Sequence, residues 1–358
     1  MNLKTIFFLL IFFQLIYLKG IAQINSKEIT EKNIDDYLEY FSGEYPGAII
    51  TVIQEGNTLF NKAYGLSNIQ DSIKMTSDKL FNLAGLSKTF TAFAILKLVE
   101  NKKLNLDDNI ADIFKGFPEY GRKVKIINLL NHTSGLKSYD PQKVILNDDI
   151  LNYLSQEDSL LYKPGSKWKY SNSDYTLLVK IIEKKSRKSY KKFLEKYLFK
   201  DNLMNNTFLS EDFSQIKNLA DAHFKIDTKY EVIRKQSLIY GEQGIYTNSE
   251  DYAKWDNVLF NNDSENKSLV KKIFEINTLN NGDVIPNAGL GWSIMEKNGI
   301  PYYWQGGSFE GYTNFVLHLP NSKITILILT NRNDSYDLLR LSIMIAKLYD
   351  KQLLIKFG

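Results

Sequence analysis

Residues 83–92 of this 358-residue chain read LAGLSKTFTA and lead into the most apolar helical stretch of the sequence. The stretch continues to Asn101, and its apolar side chains lie nearly all round the predicted helix rather than on one face. A helix that is hydrophobic on all sides is buried on most of them. We therefore expect residues 88–101 to form the central helix of the molecule, with the other elements packed around it.

Strand-like segments lie on both sides of this helix in the sequence. Glu55-Gly56-Asn57 separates two strand-like runs and predicts a hairpin, and four further strands are predicted in the last third of the chain. An amphipathic helix is predicted near the N-terminus, and a final helix is predicted near the C-terminus. The order predicts an α/β (α+β) fold in which an antiparallel sheet is flanked by N- and C-terminal helices and carries a mainly helical second lobe. The predicted strands are 47–54, 58–64, 290–296, 302–304, 312–319 and 323–330, and the predicted terminal helices are 26–42 and 336–353.

We expect a single domain over residues 23–358. Its sheet lobe comprises about 25–80 and 240–358, and its helical lobe comprises about 81–239. Ligand pockets tend to form where two such lobes meet, so a cleft is expected there.

The N-terminal residues 1–22 have the features of a secretory signal peptide. Lys4 provides a positive start, an apolar run follows, and small residues precede a cleavage site before Gln23. The alternative is a retained membrane anchor, but the run is shorter than the roughly 20 residues that a span needs. The chain is therefore expected to be exported, either to the periplasm or to the medium, and to meet a membrane only during export.

Three short segments that are far apart in the sequence carry groups suited to acyl chemistry. The first is residues 83–92, which include Lys88. The second is Tyr170-Ser171-Asn172, just before a predicted helix, and the third is residues 304–312, WQGGSFEGY.

These segments, in this order, resemble the serine β-lactamase and penicillin-binding-protein family, which includes class C β-lactamases, D-alanyl-D-alanine peptidases and esterases. The resemblance covers residues 47–333. Supporting segments with the expected order and spacing lie at 129–136, 244–251 and 289–292. The resemblance implies the same fold that the predicted elements indicate.

For the first segment the resemblance implies an S-x-x-K motif, in which a serine attacks a carbonyl and the lysine helps to remove its proton. Residues three apart share a helical face, which is why the spacing matters. Lys88 matches the lysine, but Gly85 stands where the serine would be. Ser87 is an unsuitable substitute, because two helical steps turn it away from the face shared by positions 85 and 88. The nucleophile is therefore absent.

The other two segments keep part of the implied machinery. Tyr170 would share proton transfer with the lysine, and Asn172 would bind substrate and the lysine. The third motif has the uncharged Gln305 where the family has lysine or histidine. Gly307 would let backbone approach a ligand closely, and the N–H groups of Gly85 and Ser308 would form an oxyanion hole. We thus expect two residual catalytic residues, Lys88 and Tyr170, and four ligand-binding residues, Asn172, Gln305, Gly307 and Ser308.

Composition narrows the possible partners. The chain has no cysteine, and its three histidines lack metal-ligand spacing, so neither a metal nor a cofactor is expected. The formal charge of +4 becomes nearly neutral once Lys4 and Lys19 leave with the signal, so no nucleic acid partner is expected. The expected partner is a small molecule or peptide, with peptidoglycan-derived fragments among the candidates.

Three functions remain open from the sequence. The first is a non-catalytic relative that binds a peptide, cell-wall fragment or other acyl compound. The second is an active hydrolase of esterase, peptidase or amidase type, in which Lys88 and Tyr170 activate water directly. The third is a structural protein of the cell envelope.

Overall fold

The computed structural model describes residues 28–353 and residue 355, apart from 211, 236, 262–265, 286–287 and 335–336. The predicted signal peptide and the first residues of the predicted helix 26–42 lie outside the described residues. In the part of the chain that is described, no helix has the length and apolar character needed to cross a bilayer.

The strands are, in chain order, β1 (Ala48–Gln54), β2 (Asn57–Tyr64), β3 (Leu66–Asn68), β4 (Ile73–Lys74), β5 (Phe81–Asn82), β6 (Phe208–Leu209), β7 (Ala222–Ile226), β8 (Lys229–Ile233), β9 (Ile245–Thr247), β10 (Ser293–Lys297), β11 (Ile300–Phe309), β12 (Tyr312–Leu319) and β13 (Ile324–Thr330). The helices are α1 (28–37), α2 (Ser87–Glu100), α3 (Ile110–Ile113), α4 (Ile126–Leu130), α5 (Asp149–Ser155), α6 (Asn172–Ser186), α7 (Tyr190–Leu194), α8 (Ser249–Phe260), α9 (Lys267–Ile273) and α10 (Leu338–Tyr349).

The main sheet has six antiparallel strands in the order β10-β11-β12-β13-β1-β2. This confirms the predicted antiparallel sheet, built from the early hairpin and the four late strands. β11 is much longer than the predicted 302–304, because its glycine-rich half continues the ladder with β12: Gly306 pairs with Phe315 and Gly307 with Asn314. The third motif therefore lies on a strand of this sheet.

The two faces of the sheet bury different partners, as the two-residue period of strand side chains requires. Ile50 and Ile328 belong to the core that also contains residues of α1 and α10. Ile49 and Leu329 belong to the larger core, which contains the helices of the second lobe. The terminal helices thus flank one face of the sheet, as predicted, and the helical lobe covers the other.

α2 is the central helix of that larger core. Eleven of its 14 residues are buried, which agrees with the apolar pattern of the sequence. It packs against α6 and α9, and Phe90 stacks on Trp255 of α8 with ring centroids 4.3 Å apart. The 3₁₀ turn Ala84–Leu86, which leads into α2 and begins the first motif, contacts β11.

The segment 81–239 contains strands as well as the expected helices. β7 and β8 form a hairpin whose backbone meets the end of the main sheet, because the N–H of His223 donates to the carbonyl of Asn331 at 2.9 Å. The hydroxyl of Tyr230 also donates to Asp334 at 2.8 Å. Residues 222–233 therefore pack beside the sheet rather than among the helices.

Candidate functional site

The first motif begins in a tight turn that the sheet holds in place. Residues Ala84–Leu86 form one turn of 3₁₀ helix that runs directly into α2. Ala84 has φ +49°, a conformation that costs energy for a residue with a Cβ and that is common at functional sites. Asn82 Oδ1 accepts the N–H of Ala84 at 2.8 Å, and the carbonyl of Asn82 accepts from Asn314 of β12 at 2.7 Å. These bonds fix position 85 relative to the sheet.

Gly85 lies directly against the glycines of the third motif. A Cβ on Gly85 would lie 2.6 Å from the carbonyl oxygen of Gly306 and 3.0 Å from Gly307 Cα. A Cβ on Gly307 would lie 2.1 Å from the nitrogen of Gly85. Distances below 3.0 Å essentially do not occur for real Cβ atoms. The backbone of β11 therefore occupies the space into which a side chain at position 85 would project.

Lys88 is buried and its amino group is held by Glu242. The side chain is only 1% exposed, and Nζ donates to the backbone carbonyl of Glu242 at 3.0 Å. Nζ also lies 3.5 Å from Oε2 of the Glu242 carboxylate, whose side chain is 8% exposed. A buried lysine requires such a partner, because an unpaired charge in the interior is costly.

Tyr139 completes this buried network. Its hydroxyl donates to Oε1 of Glu242 at 2.8 Å. Burial, with the adjacent Glu242 carboxylate, raises the pKa of Tyr139 well above its usual value. Tyr139 therefore remains a hydrogen-bond donor, and the Glu242 carboxylate has partners on both of its oxygens.

Two tyrosine rings lie beside the Lys88 amino group. Nζ is 5.2 Å from the ring centroid of Tyr170 and 5.8 Å from that of Tyr175, distances at which an ammonium and an aromatic face attract. Tyr175 is fully buried, whereas Tyr170 is 48% exposed. Tyr170 thus has one side toward Lys88 and the other toward solvent.

Asn172 is the first residue of α6 and shares a helical face with Tyr175, three residues later. This places it on the side of α6 that faces Lys88. Its Oδ1 is buried and has no hydrogen-bond partner among the described residues. The family resemblance implies a contact between Asn172 and the lysine. Among the described residues, the Lys88 amino group donates to Glu242 and makes no hydrogen bond with Asn172.

His132 supports the segment that carries Tyr170. Its Nδ1 lies 3.0 Å from Asp174 Oδ2, and Ser134 donates to the other oxygen of Asp174 at 2.6 Å. Burial raises the pKa of Asp174, against the opposing effect of these two bonds. The His132 and Tyr170 ring centroids are 4.8 Å apart, so the histidine acts as a support for the tyrosine.

The remaining residues of the third motif have local partners. Gln305 Nε2 donates to the carbonyl of Gly291 at 2.9 Å, and its Oε1 accepts the N–H of Gly306 at 3.0 Å. The Ser308 hydroxyl lies 3.4 Å from that of Thr313 on the neighbouring strand, at an exposed position. Both polar atoms of the Gln305 amide thus have hydrogen-bond partners within the protein.

Ser87 is directed away from this site. It is fully buried, and its Oγ accepts the N–H of Ile245 on β9 at 3.3 Å. Within the described residues, no group of three or more histidine, aspartate or glutamate side chains is arranged to hold a metal ion.

The structure therefore brings Gly85, Lys88, Tyr170 and Gly307 together, with Asn172 on the adjoining helix face. Glu242 and Tyr139 were not recognised from the sequence. Glu242 lies 154 residues from Lys88, and no spacing rule connects two positions so far apart. The one available signal was a charged residue flanked by Gly241 and Gly244 just before a strand.

Comparison with known proteins gives matches that agree with one another over most of the chain. The family model described as Beta-lactamase matches residues 30–347. "Penicillin-binding protein 4*" of Bacillus subtilis (strain 168) is 29% identical over 319 residues, which cover 81% of this chain and 69% of that protein. "Protein flp" of Staphylococcus aureus (strain MRSA252) is 27% identical over 324 residues, 86% of this chain and 64% of the relative. The chain thus spans about two thirds of the length of these relatives.

Solved structures show the same fold. A class C β-lactamase superposes with a TM-score of 0.76 at 20% identity, over 93% of this chain and 98% of that one. The octameric penicillin-binding protein homologue from Pyrococcus abyssi superposes with a TM-score of 0.74 at 24% identity, over 90% of this chain and 77% of that one. With the family model matching well over half of its length, the chain belongs to the β-lactamase family.

Proposed function

We propose that this protein is an exported member of the family that is impaired as a serine acyl-enzyme and binds an acyl or peptide ligand in its cleft. The observation that carries the proposal is the contact of Gly85 with β11. A serine is absent from position 85, and the carbonyl of Gly306 lies 2.6 Å from where its Cβ would be. Losing the nucleophile alone typically removes several orders of magnitude in rate.

The ligand-binding part of the proposal rests on Asn172 and Tyr170. Buried polar atoms nearly always have a hydrogen-bond partner, yet Asn172 Oδ1 has none among the described residues. An N–H group of a bound amide or peptide would supply one. Tyr170, which is half exposed beside Lys88, would cover the same ligand. Peptidoglycan-derived peptides are candidate ligands, and residues 1–22 support export to the periplasm or the medium.

Melting curves with diacetyl-Lys-D-Ala-D-Ala as the probe test this function. A ligand at about 100 times its Kd adds roughly 2.7 kcal/mol to the free energy of unfolding. We expect such a shift in wild type, its loss in Asn172→Ala, and its retention in Asn57→Ala, which alters an exposed asparagine on the far edge strand β2. The peptide should be recovered uncleaved. Equal shifts in wild type and Asn172→Ala, or cleavage of the peptide, would contradict the proposal.

A second candidate function is hydrolysis by water activated directly at Lys88 and Tyr170. It is favoured by the 5.2 Å approach of the Lys88 amino group to the Tyr170 ring. It requires ester or amide hydrolysis that wild type performs and Lys88→Ala does not. The Glu242 carboxylate counts against it, because it lies 3.5 Å from Nζ and pairs with the charged amino group, which has no lone pair to take a proton from water.

A further inference from the structure

We propose that Glu242 is a positioning residue that holds Lys88 away from acyl chemistry and forms a second barrier to acylation, independent of the missing serine. This inference rests on the proposed function and extends it from the nucleophile to the proton-transfer group. It makes Glu242 the residue that keeps the retained lysine inactive.

The contacts of Glu242 support this role. It binds Lys88 through two different acceptors, its backbone carbonyl at 3.0 Å and its carboxylate at 3.5 Å. Lysine has three donors and no acceptor when it is charged. A lysine that takes a proton from a hydroxyl must instead present a lone pair. A neutral amine would still have two N–H groups for these contacts, so it is the charge of the Glu242 carboxylate, 3.5 Å from Nζ, that opposes proton acceptance. It attracts the ammonium form of the lysine, which has no lone pair.

Tyr139 makes the arrangement stable. Its hydroxyl donates to Glu242 at 2.8 Å, so the carboxylate is fixed from the side opposite Lys88. Breaking a buried ion pair by removing one partner is strongly destabilising, because the other charge remains buried. Lys88 is therefore retained in the core by Glu242, and its presence does not require a catalytic role.

The test places a hydroxyl at position 85 and asks whether Lys88 can activate it. In Gly85→Ser, the introduced hydroxyl would add to the carbonyl carbon of a fluorescent penicillin. The ring C–N bond would break and the hydroxyl proton would pass to the ring nitrogen, leaving an ester-linked adduct. Adduct formation is followed by fluorescence and intact mass.

We expect little adduct in Gly85→Ser and faster formation in Gly85→Ser/Glu242→Gln. The expected gain is on the order of 100-fold, the lower range of what a positioned proton acceptor contributes. Glutamine keeps the shape of the side chain and can still accept from Tyr139. Any displacement of β11 by the new side chain is common to both variants, so the difference between them reports on Glu242 alone.

Two controls separate this role from a structural one. Gly85→Ser/Glu119→Gln removes a carboxylate that is 83% exposed, and should match Gly85→Ser. Adding Lys88→Ala to Gly85→Ser/Glu242→Gln should abolish the gain. Melting curves identify folded variants, and Glu242→Ala serves in the same background if the glutamine variant does not fold.

Equal adduct rates in folded Gly85→Ser and Gly85→Ser/Glu242→Gln would overturn the inference, as would a gain that persists without Lys88. Neither result affects the proposed function, which is tested on wild type through peptide binding. Conversely, an adduct in wild type would refute the proposed function whatever the variants do.

Discussion

Gly85, Gly306 and Gly307 meet backbone to backbone at the N-terminal end of α2. From the sequence, the glycines of the third motif were expected to let backbone approach a ligand. In the structure both glycines lie against the backbone of Gly85. Reintroducing serine at position 85 therefore requires β11 to shift as well as a hydroxyl to be added.

This contact predicts an order of stabilities for three alanine variants. Overpacking typically costs about 1–3 kcal/mol. Gly307→Ala should cost most, because its Cβ would lie 2.1 Å from Gly85 N, and Gly85→Ala should follow at 2.6 Å from the Gly306 carbonyl. Gly306→Ala should cost least, because the nearest atom to its Cβ would be in the Phe315 ring, at 3.2 Å. Urea unfolding measures the order, and a stabilised Gly85→Ala would show that the strand does not fill this space.

Removing the Tyr139 hydroxyl should lower the free energy of unfolding more than removing an ordinary buried hydroxyl. Hydrogen bonds to charged groups contribute about 1.5–3 kcal/mol, against about 0.5–1.5 kcal/mol for neutral ones. Tyr139→Phe removes a donor to the Glu242 carboxylate, whereas Tyr120→Phe removes one to the carbonyl of Leu154 at 2.6 Å. Chemical denaturation should therefore show the larger loss for Tyr139→Phe. Equal losses would show that the bond to the Glu242 side chain contributes no more than the bond to a backbone carbonyl.

Asp256 of α8 and His318 of β12 are buried titratable residues whose pKa values are shifted by their surroundings. Burial raises the pKa of Asp256 to about 7, against the effect of a hydrogen bond from Thr325. Burial also lowers the pKa of His318 to about 3. His318 Nδ1 lies 2.7 Å from the same threonine hydroxyl. The two groups are thus linked through one residue of β13.

The two shifts have opposite effects on stability. Between the unfolded value of 3.8 and about 7, folded Asp256 holds a proton that the unfolded chain has lost, so its contribution falls as pH rises. Between about 3 and 6.5, unfolded His318 holds a proton that the folded chain lacks, so its contribution rises with pH. Over the shared range the two contributions oppose each other.

Asp256→Asn should therefore expose the histidine contribution. We expect its free energy of unfolding to rise with pH between 3.8 and 6.5 more steeply than that of wild type. Asp107→Asn, at a carboxylate that is 72% exposed, serves as the control. Urea titrations across this range measure the slope. An unchanged slope in Asp256→Asn would mean that this carboxyl does not titrate differently in the folded state.

Local sequence patterns predicted some of these elements well and others only in part. The hairpin β1–β2 and α2 were predictable because strand alternation and all-round apolarity are local signals. β11 was predicted too short, because its glycine-rich half carries no side-chain pattern and is a strand only through its pairing with β12. Lys88 was recognised as a candidate site residue because it matches the lysine of the first motif. Its partner Glu242 depends on how distant loops meet, which no local pattern encodes.

At the scale of the whole molecule, one core spans both lobes. Ile49 and Leu329 from the sheet lie in the same buried cluster as Phe90 of α2 and Ile181 of α6. Lobes that share a core cannot move apart without disturbing it, so ligand binding is expected to involve little lobe movement.

A shared core also predicts one unfolding transition. Trp255 is buried against α2, whereas Trp168 is partly exposed in the segment leading to Tyr170. Tryptophan fluorescence and far-ultraviolet circular dichroism should therefore change together in urea. Two separated transitions would show that the sheet and the helical lobe unfold independently.

The central claim is that the family's acylation centre is closed at Gly85, where β11 backbone fills the side-chain position. Incubating the wild-type protein with a fluorescent penicillin, followed by intact mass spectrometry, tests it most directly. We predict an unmodified mass after prolonged incubation. A stoichiometric adduct, mapped to any residue of the chain, would contradict it.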